Sequence, residues 1–359
     1  MATQQALVIP SLKAPFTLKS LWPIPKPGPR QVLIKIKATG LNPVDWKQQK
    51  YGIVIEKYPA IPGLDIAGDV EELGECVEGF AKGEKVFAMG YFPDEMSAYQ
   101  QFCVIPFDLV GKMPPNIDYA RAASIPTGYC TVAVGLLAAL PAGAGLDPTM
   151  EFKSNSIGQP AFILGGSSCV GQFGSFPTRH HTLPISSTSI QLLRLQGFSP
   201  IITYASGKHT AYLHSLGATH IIDRASVSLS ALPDAVHCIS GSTPIKLAFD
   251  TISDDETKAA SLAVLADNGL ALTLVPPGED RTHEGGKRNI GILGSPHYHR
   301  EIGKRIWQVL PKQVEQGIVV PNRVEVLPDG LAGIVGGLEI MERGEASGVK
   351  LVVCPHETP

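Results

Sequence analysis

Along the first 130 residues, apolar and polar positions alternate in short runs. Residues 31–38 (QVLIKIKA) keep a period of two, the pattern of a half-buried strand. Residues 66–73 and 85–89 read as further short strands. Between them stand Pro25, Pro27, Pro29, Pro62, Gly63, Gly74, Gly79 and Gly83, which punctuate the chain as turns. Many short strands with regular turns predict a small barrel-like β unit. Residues 121–140 change to an Ala-rich pattern with helical spacing.

From residue 161 the pattern changes again. Residues 161–164 (AFIL) are apolar throughout, as in a strand buried on both faces of a parallel sheet. Further strands are predicted at 200–204, 220–222, 247–250 and 271–275. Helical patterns at 190–196, up to 216 and at 255–265 separate them. This βαβ alternation predicts a doubly wound sheet. The tail reads as one helix (331–341) and one strand (350–353). Neither can bury its own apolar face, so both are expected to return to the first unit.

The chain has 359 residues, 44% of them hydrophobic and 18% charged, enough for two packed domains rather than a disordered chain. Lys plus Arg is 30 against 33 for Asp plus Glu, a net charge of −3. That balance offers no basic field for nucleic acid and no polybasic membrane anchor. The longest apolar runs, such as 131–140, are too short to span a bilayer, and residues 1–5 lack the features of a signal peptide. A cytoplasmic location is expected. The six cysteines (76, 103, 130, 169, 238 and 354) are too far apart for a disulfide framework or a zinc ribbon.

The AFIL strand runs into Gly165-Gly166-Ser167-Ser168-Cys169-Val170-Gly171. A glycine-rich turn between a strand and a helix lets backbone N–H groups approach a pyrophosphate at a helix N-terminus. Cys169 is read as a small residue in a serine-like slot, since no His neighbours it there. An acidic residue at the end of the second strand would select NAD. Ser206-Gly207-Lys208-His209 has none. Ser206 and Lys208, with Arg224, offer donors to a 2′-phosphate, which favours NADP. The other reading keeps Lys208 as a solvated lysine at a helix start.

Several blocks resemble the zinc-independent medium-chain dehydrogenase/reductases, with a flavour of fungal quinone-oxidoreductase-like and trans-acting enoyl reductases. Residues 38–47 (ATGLNPVDWK) are similar to the family's first motif. PGLDIAG at 62–68, GEKVF at 83–87, SIPTG at 124–128 and SGVKLVV at 347–353 follow in the family's order. The resemblance implies an α/β chain with a GroES-like β-barrel domain (1–130 and 305–359). It also implies a doubly wound Rossmann NADP-binding domain (131–304), with the active cleft between the two. Zinc-dependent members carry a Cys in the first block and Gly-His-Glu in the second. Here Asn42 and Leu64-Asp65 stand there, so no catalytic metal is expected. By resemblance, Val44, Asp45, Trp46 and Lys47 lie along the nicotinamide–ribose end. Asn42 and Lys47 hydrogen-bond a substrate carbonyl. Thr127, with Gly128 and Tyr129, lines the substrate cleft; the proton donor has no assigned owner, with Tyr129 and water as the candidates. Leu274 and Val275 flank the nicotinamide, Leu293-Gly294-Ser295 border the substrate, and Val349-Lys350 return to the cofactor.

Residues 174–189 (GSFPTRHHTLPISSTS) fit nothing in that pattern. They interrupt the helix that should follow the glycine turn, and Pro177 and Pro184 oppose helix continuation. They read as a translated, retained intron that would weaken NADP binding, or as a genuine surface loop. His180-His181 lacks the partners of a metal site. The resulting expectation is an NADPH-dependent reductase of an activated C=C bond, in a small or carrier-bound enoyl thioester, enone or quinone. An alcohol dehydrogenase and a catalytically silent or impaired NADP-binding protein are the alternatives. A monomer or homodimer is expected.

Overall fold

In the computed structural model, the described residues are 2–153, 156–165, 183–274 and 278–359. They divide into unit 1 (1–127 and 295–359) and unit 2 (128–294). In chain order, unit 1 opens with β1 (Thr3–Val8), β2 (Thr17–Pro23), β3 (Gln31–Gly40) and α1 (Pro43–Tyr51). It continues with β4 (Asp65–Leu73), β5 (Lys85–Met89), β6 (Phe102–Pro106), β7 (Val110–Lys112) and α2 (Tyr119–Ala122). Next come α3 (Pro126–Leu137), β8 (Ala161–Leu164), α4 (Leu183–Leu195), β9 (Ile201–Ala205), α5 (Thr210–Leu216) and β10 (His220–Asp223). Then follow α6 (Leu232–Ser240), β11 (Leu247–Asp250), α7 (Asp255–Val264), β12 (Leu270–Thr273), β13 (Asp280–Thr282) and β14 (Arg288–Gly291). The chain returns to unit 1 with α8 (Arg300–Glu315), β15 (Val324–Val326), α9 (Gly333–Arg343) and β16 (Lys350–Val353).

In unit 1, among the described residues, the main sheet runs β15-β16-β3-β4-β5-β7, with β6 also on β3. The last strand, β16, lies antiparallel to β3 through Val352–Gly40 and Val353–Thr39, so the tail completes the first sheet. Its core gathers Leu7, Leu41, Trp46, Ile61, Tyr99, Ile334, Leu338 and Leu351. The return begins at Ser295 rather than 305, because α8 is a single helix whose buried face carries Ile302, Ile306 and Leu310. The helix expected over 121–140 is split, with α2 ending at Ala122 and α3 starting at Pro126, where the proline ring favours a first turn.

In unit 2 the strand order is β10-β9-β8-β11-β12-β14-β13, parallel except for β13. The order reverses at β8, which lies between β9 and β11, the kind of switch point at which open α/β sheets bind ligands. All four residues of AFIL in β8 are buried. The helix expected from residue 190 begins at 183. Residues 183–189 of the expected interruption are its first seven, and the remainder, 174–182, lies outside the described residues. Pro184 is tolerated as the second helical residue, where its missing N–H has no intrahelical partner to lose.

Candidate functional site

Unit 1 carries a buried polar network at the ends of β3, β4 and β16. The Lys350 Nζ donates to Asp65 Oδ2 at 2.7 Å and to Asn42 Oδ1 at 2.6 Å. The two charged side chains are 3% and 0% exposed, so each depends on the other. The Asn42 amide donates to Asp65 Oδ2 at 2.8 Å and to the Gly40 carbonyl. Asp65 Oδ1 accepts the Thr127 backbone N–H at 2.7 Å. Gly40 makes room for this arrangement: a Cβ there would stand 2.7 Å from Lys350 Cε and 3.1 Å from Asp65 Oδ2. The Thr127 Oγ1 is buried without a hydrogen-bond partner among the described residues.

The first turn of α1 adds a second pair. Asp45 Oδ2 accepts the Asn42 N–H at 2.7 Å, a helix N-terminal contact, and the Tyr99 hydroxyl at 2.5 Å. Burial raises the Asp45 pKa to about 7, although the Tyr99 and Asn42 hydrogen bonds pull it down. Burial also pushes Tyr99 well above the usual phenol range. Asp45 and Trp46, expected beside the nicotinamide ribose, are both buried in unit 1, Trp46 within its hydrophobic core. A nine-residue helix with one face on the core must bury some of its first-turn side chains. Lys47 is different: no acceptor among the described residues bonds its Nζ, and desolvation by burial lowers its pKa to about 8. Val44 and Val349 are half-buried.

The other expected substrate residues are placed as follows. Gly128 and Tyr129 are buried, and Tyr129 has polar partners of its own. Leu293 and Gly294 are half-buried, and a Cβ on Gly294 would stand 2.5 Å from Thr131 Cα. The Ser295 Oγ is buried without a partner among the described residues.

In unit 2, Gly166, Ser167, Ser168, Cys169, Val170, Gly171 and Val275 lie outside the described residues. Gly165 follows β8, and a Cβ there would stand 1.9 Å from Ser186 Oγ of α4. That oxygen bonds Thr251 Oγ1 at 3.0 Å, and Thr251 Oγ1 in turn donates to the Leu164 carbonyl at 3.1 Å. The end of β11 is tied down by Asp250, whose Oδ1 accepts the Ile252 and Ser253 N–H groups at 2.9 Å. Ser253 Oγ accepts the Leu274 N–H at 2.7 Å.

Beyond β9, Ser206 and Gly207 are half-buried, Lys208 is exposed and His209 is buried. The sequence reading missed Asp223, which the fold brings from β10 to the Gly207 N–H at 3.0 Å. A second N–H, from Ala225, also reaches Asp223 Oδ1, and these two donors hold the carboxyl below its ordinary value. Arg224 follows directly and has partners of its own.

Comparison with known proteins places this geometry. The alcohol dehydrogenase GroES-like domain family matches residues 28–115. A dehydrogenase of Monascus ruber is 31% identical over 252 residues, 68% of this chain and 63% of that protein. A trans-enoyl reductase of Aspergillus sclerotiorum is 28% identical over 356 residues, 92% of this chain and 94% of that protein. The chain belongs to the medium-chain dehydrogenase/reductase superfamily. The fold agrees: an alcohol dehydrogenase superfamily protein from Novosphingobium aromaticivorans matches 98% of this chain and 99% of its own, with a TM-score of 0.78 at 22% identity. This medium-chain dehydrogenase/reductase is an oxidoreductase, and reductases of its superfamily use nicotinamide cofactors. Among its described residues, no helix is long and apolar enough to cross a membrane.

A zinc ion does not fit this donor set: it offers no thiolate or imidazole, and the Lys350 ammonium already engages Asn42 Oδ1 and Asp65 Oδ2. A nicotinamide dinucleotide does fit the sheet of unit 2, whose order reverses at β8 and whose C-terminal edge carries Lys208 and Arg224.

Proposed function

We propose that this oxidoreductase reduces a carbon–carbon double bond conjugated to a carbonyl, in an enoyl thioester, enone or quinone, with NADPH as its cofactor. One observation carries the reading: in the unit whose buried polar network engages Lys350, the ammonium of Lys47 is desolvated and no acceptor among the described residues bonds it. A desolvated cation that lies over the Trp46 ring (5.7 Å) with no oxygen bonded among the described residues, on a helix held by its first turn, suits a developing enolate oxygen.

The bound cofactor supplies the hydride. Lys47 donates a hydrogen bond to the substrate carbonyl and stabilises the negative charge that forms there. The Thr127 hydroxyl offers a second donor. Asn42, whose oxygen and amide are both engaged by Lys350, Asp65 and Gly40, holds the start of α1 instead of binding substrate. Lys208 and Arg224 bind the 2′-phosphate. Small-molecule and carrier-bound substrates both agree with this chemistry.

A second reading rests on Ser186. Its hydroxyl crowds Gly165, at the strand end where a pyrophosphate must approach, which favours a protein with an impaired cofactor grip. Steady-state oxidation of NADPH and NADH with quinones, enones and enoyl thioesters separates the two. Turnover with NADPH preferred supports the reductase. Tight NADPH binding with no turnover supports the silent protein, and zinc-stimulated alcohol oxidation excludes both.

A further inference from the structure

We infer that Lys350 is a positioning residue for the reduction proposed above: through Asp65 it fixes the first turn of α3, and so the place of the Thr127 hydroxyl. The chain of contacts is continuous. The Lys350 ammonium bonds Asp65 Oδ2 at 2.7 Å, and the other oxygen of that carboxylate accepts the Thr127 N–H at 2.7 Å. Asn42 braces the ammonium from the opposite side at 2.6 Å. The missing Cβ of Gly40 leaves the space in which the pair sits.

Three features separate this from an ordinary buried ion pair. Asp65 is shared: one oxygen receives the cation while the other holds a backbone N–H, so the carboxylate transmits position from β16 to α3. Thr127 is the second residue of α3, where the N–H has no intrahelical partner and needs an outside acceptor. Its hydroxyl, 8% exposed at the residue level, has no partner among the described residues. Buried hydroxyls are nearly always bonded, so a ligand oxygen is the natural missing partner. The ligand chemistry is a carbonyl oxygen that accepts from the hydroxyl. Lys350 itself, 3% exposed and doubly engaged, does not reach it.

The test uses the full chain and four forms: wild type, Lys350→Met, Thr127→Val and the double variant. In Lys350→Met, amide exchange in the peptide spanning Thr127 should accelerate about tenfold, and kcat should fall about tenfold with the KM for NADPH unchanged. On the Thr127→Val background, Lys350→Met should cost less than about twofold further, because the hydroxyl it positions is already gone. Unchanged exchange at Thr127, or equal losses on both backgrounds, overturns the proposal. If Lys350→Met does not fold, Asp65→Asn is read by the same criteria. If the wild type reduces no substrate of the panel, the reductase reading fails, while the exchange result still decides the Lys350–Asp65–Thr127 link.

Discussion

At Lys47 the chemistry narrows to one proton. Burial lowers its pKa to about 8, so its charged form prevails at neutral pH and is lost as pH rises through that value. Activity should therefore fall above about pH 8, and Lys47→Arg should carry the falling limb upward; a pH–kcat profile checks both. Lys47→Met should lower kcat by about a hundredfold, measured under saturating NADPH. Asp45 behaves oppositely. Its carboxyl is raised from 3.8 to about 7 by burial, so the folded state holds the proton more tightly than the unfolded one. The stability this gives is complete below about pH 4 and is lost as pH rises through 7. Asp45→Asn keeps an acceptor for Tyr99 and Asn42, so its melting temperature should gain on the wild type steadily between pH 4 and 8. A constant difference would contradict the assignment.

Among the elements, β8 and β3 were legible because their environment writes a local signal: a run of four buried residues in one, and buried and half-buried positions alternating over 34–38 in the other. The first-turn side chains of α1 were not. The motif at 38–47 identifies the segment, yet whether Asp45 and Trp46 face core or cofactor depends on Tyr99, 54 positions away, which leaves no trace in α1 itself. The Lys350–Asn42 bond joins residues 308 positions apart, and only the antiparallel seating of β16 on β3 brings them together. Asp223 was missed for the same reason: it ends β10, whose parallel seating beside β9 carries it to Gly207. The start of α4 is the sharpest difference. Prolines and a Ser/Thr run argued against helix, but Pro184 falls in the first turn, and Ser186, Ser187, Thr188 and Ser189 are buried. A chain lacking 174–189 joins Phe173 directly to Ile190. It should bind NADPH about tenfold tighter by fluorescence titration, because fewer residues then stand in the chain between the glycine-rich segment 165–171 and the helix at 190–195. Unchanged or weaker binding would show that the present start of α4 is the working one.

For the molecule as a whole, we assign the dinucleotide to the largely parallel sheet of unit 2, while unit 1 is a mostly antiparallel sheet holding a buried polar network around Lys350. Cofactor preference belongs to unit 2. Replacing Lys208 and Arg224 by Ala should weaken NADPH binding about tenfold and leave NADH unchanged, as parallel titrations will show. Equal losses for both cofactors would place these side chains away from the 2′-phosphate. The polar network belongs to unit 1, where the Lys350 ammonium bonds Asn42 and Asp65. The most direct measurement follows the hydride. With NADPH deuterated at the reactive C4 position and an enone or enoyl thioester as acceptor, mass spectrometry should find deuterium on the carbon β to the carbonyl of the saturated product. Deuterium on the carbonyl carbon of an alcohol product would contradict the account.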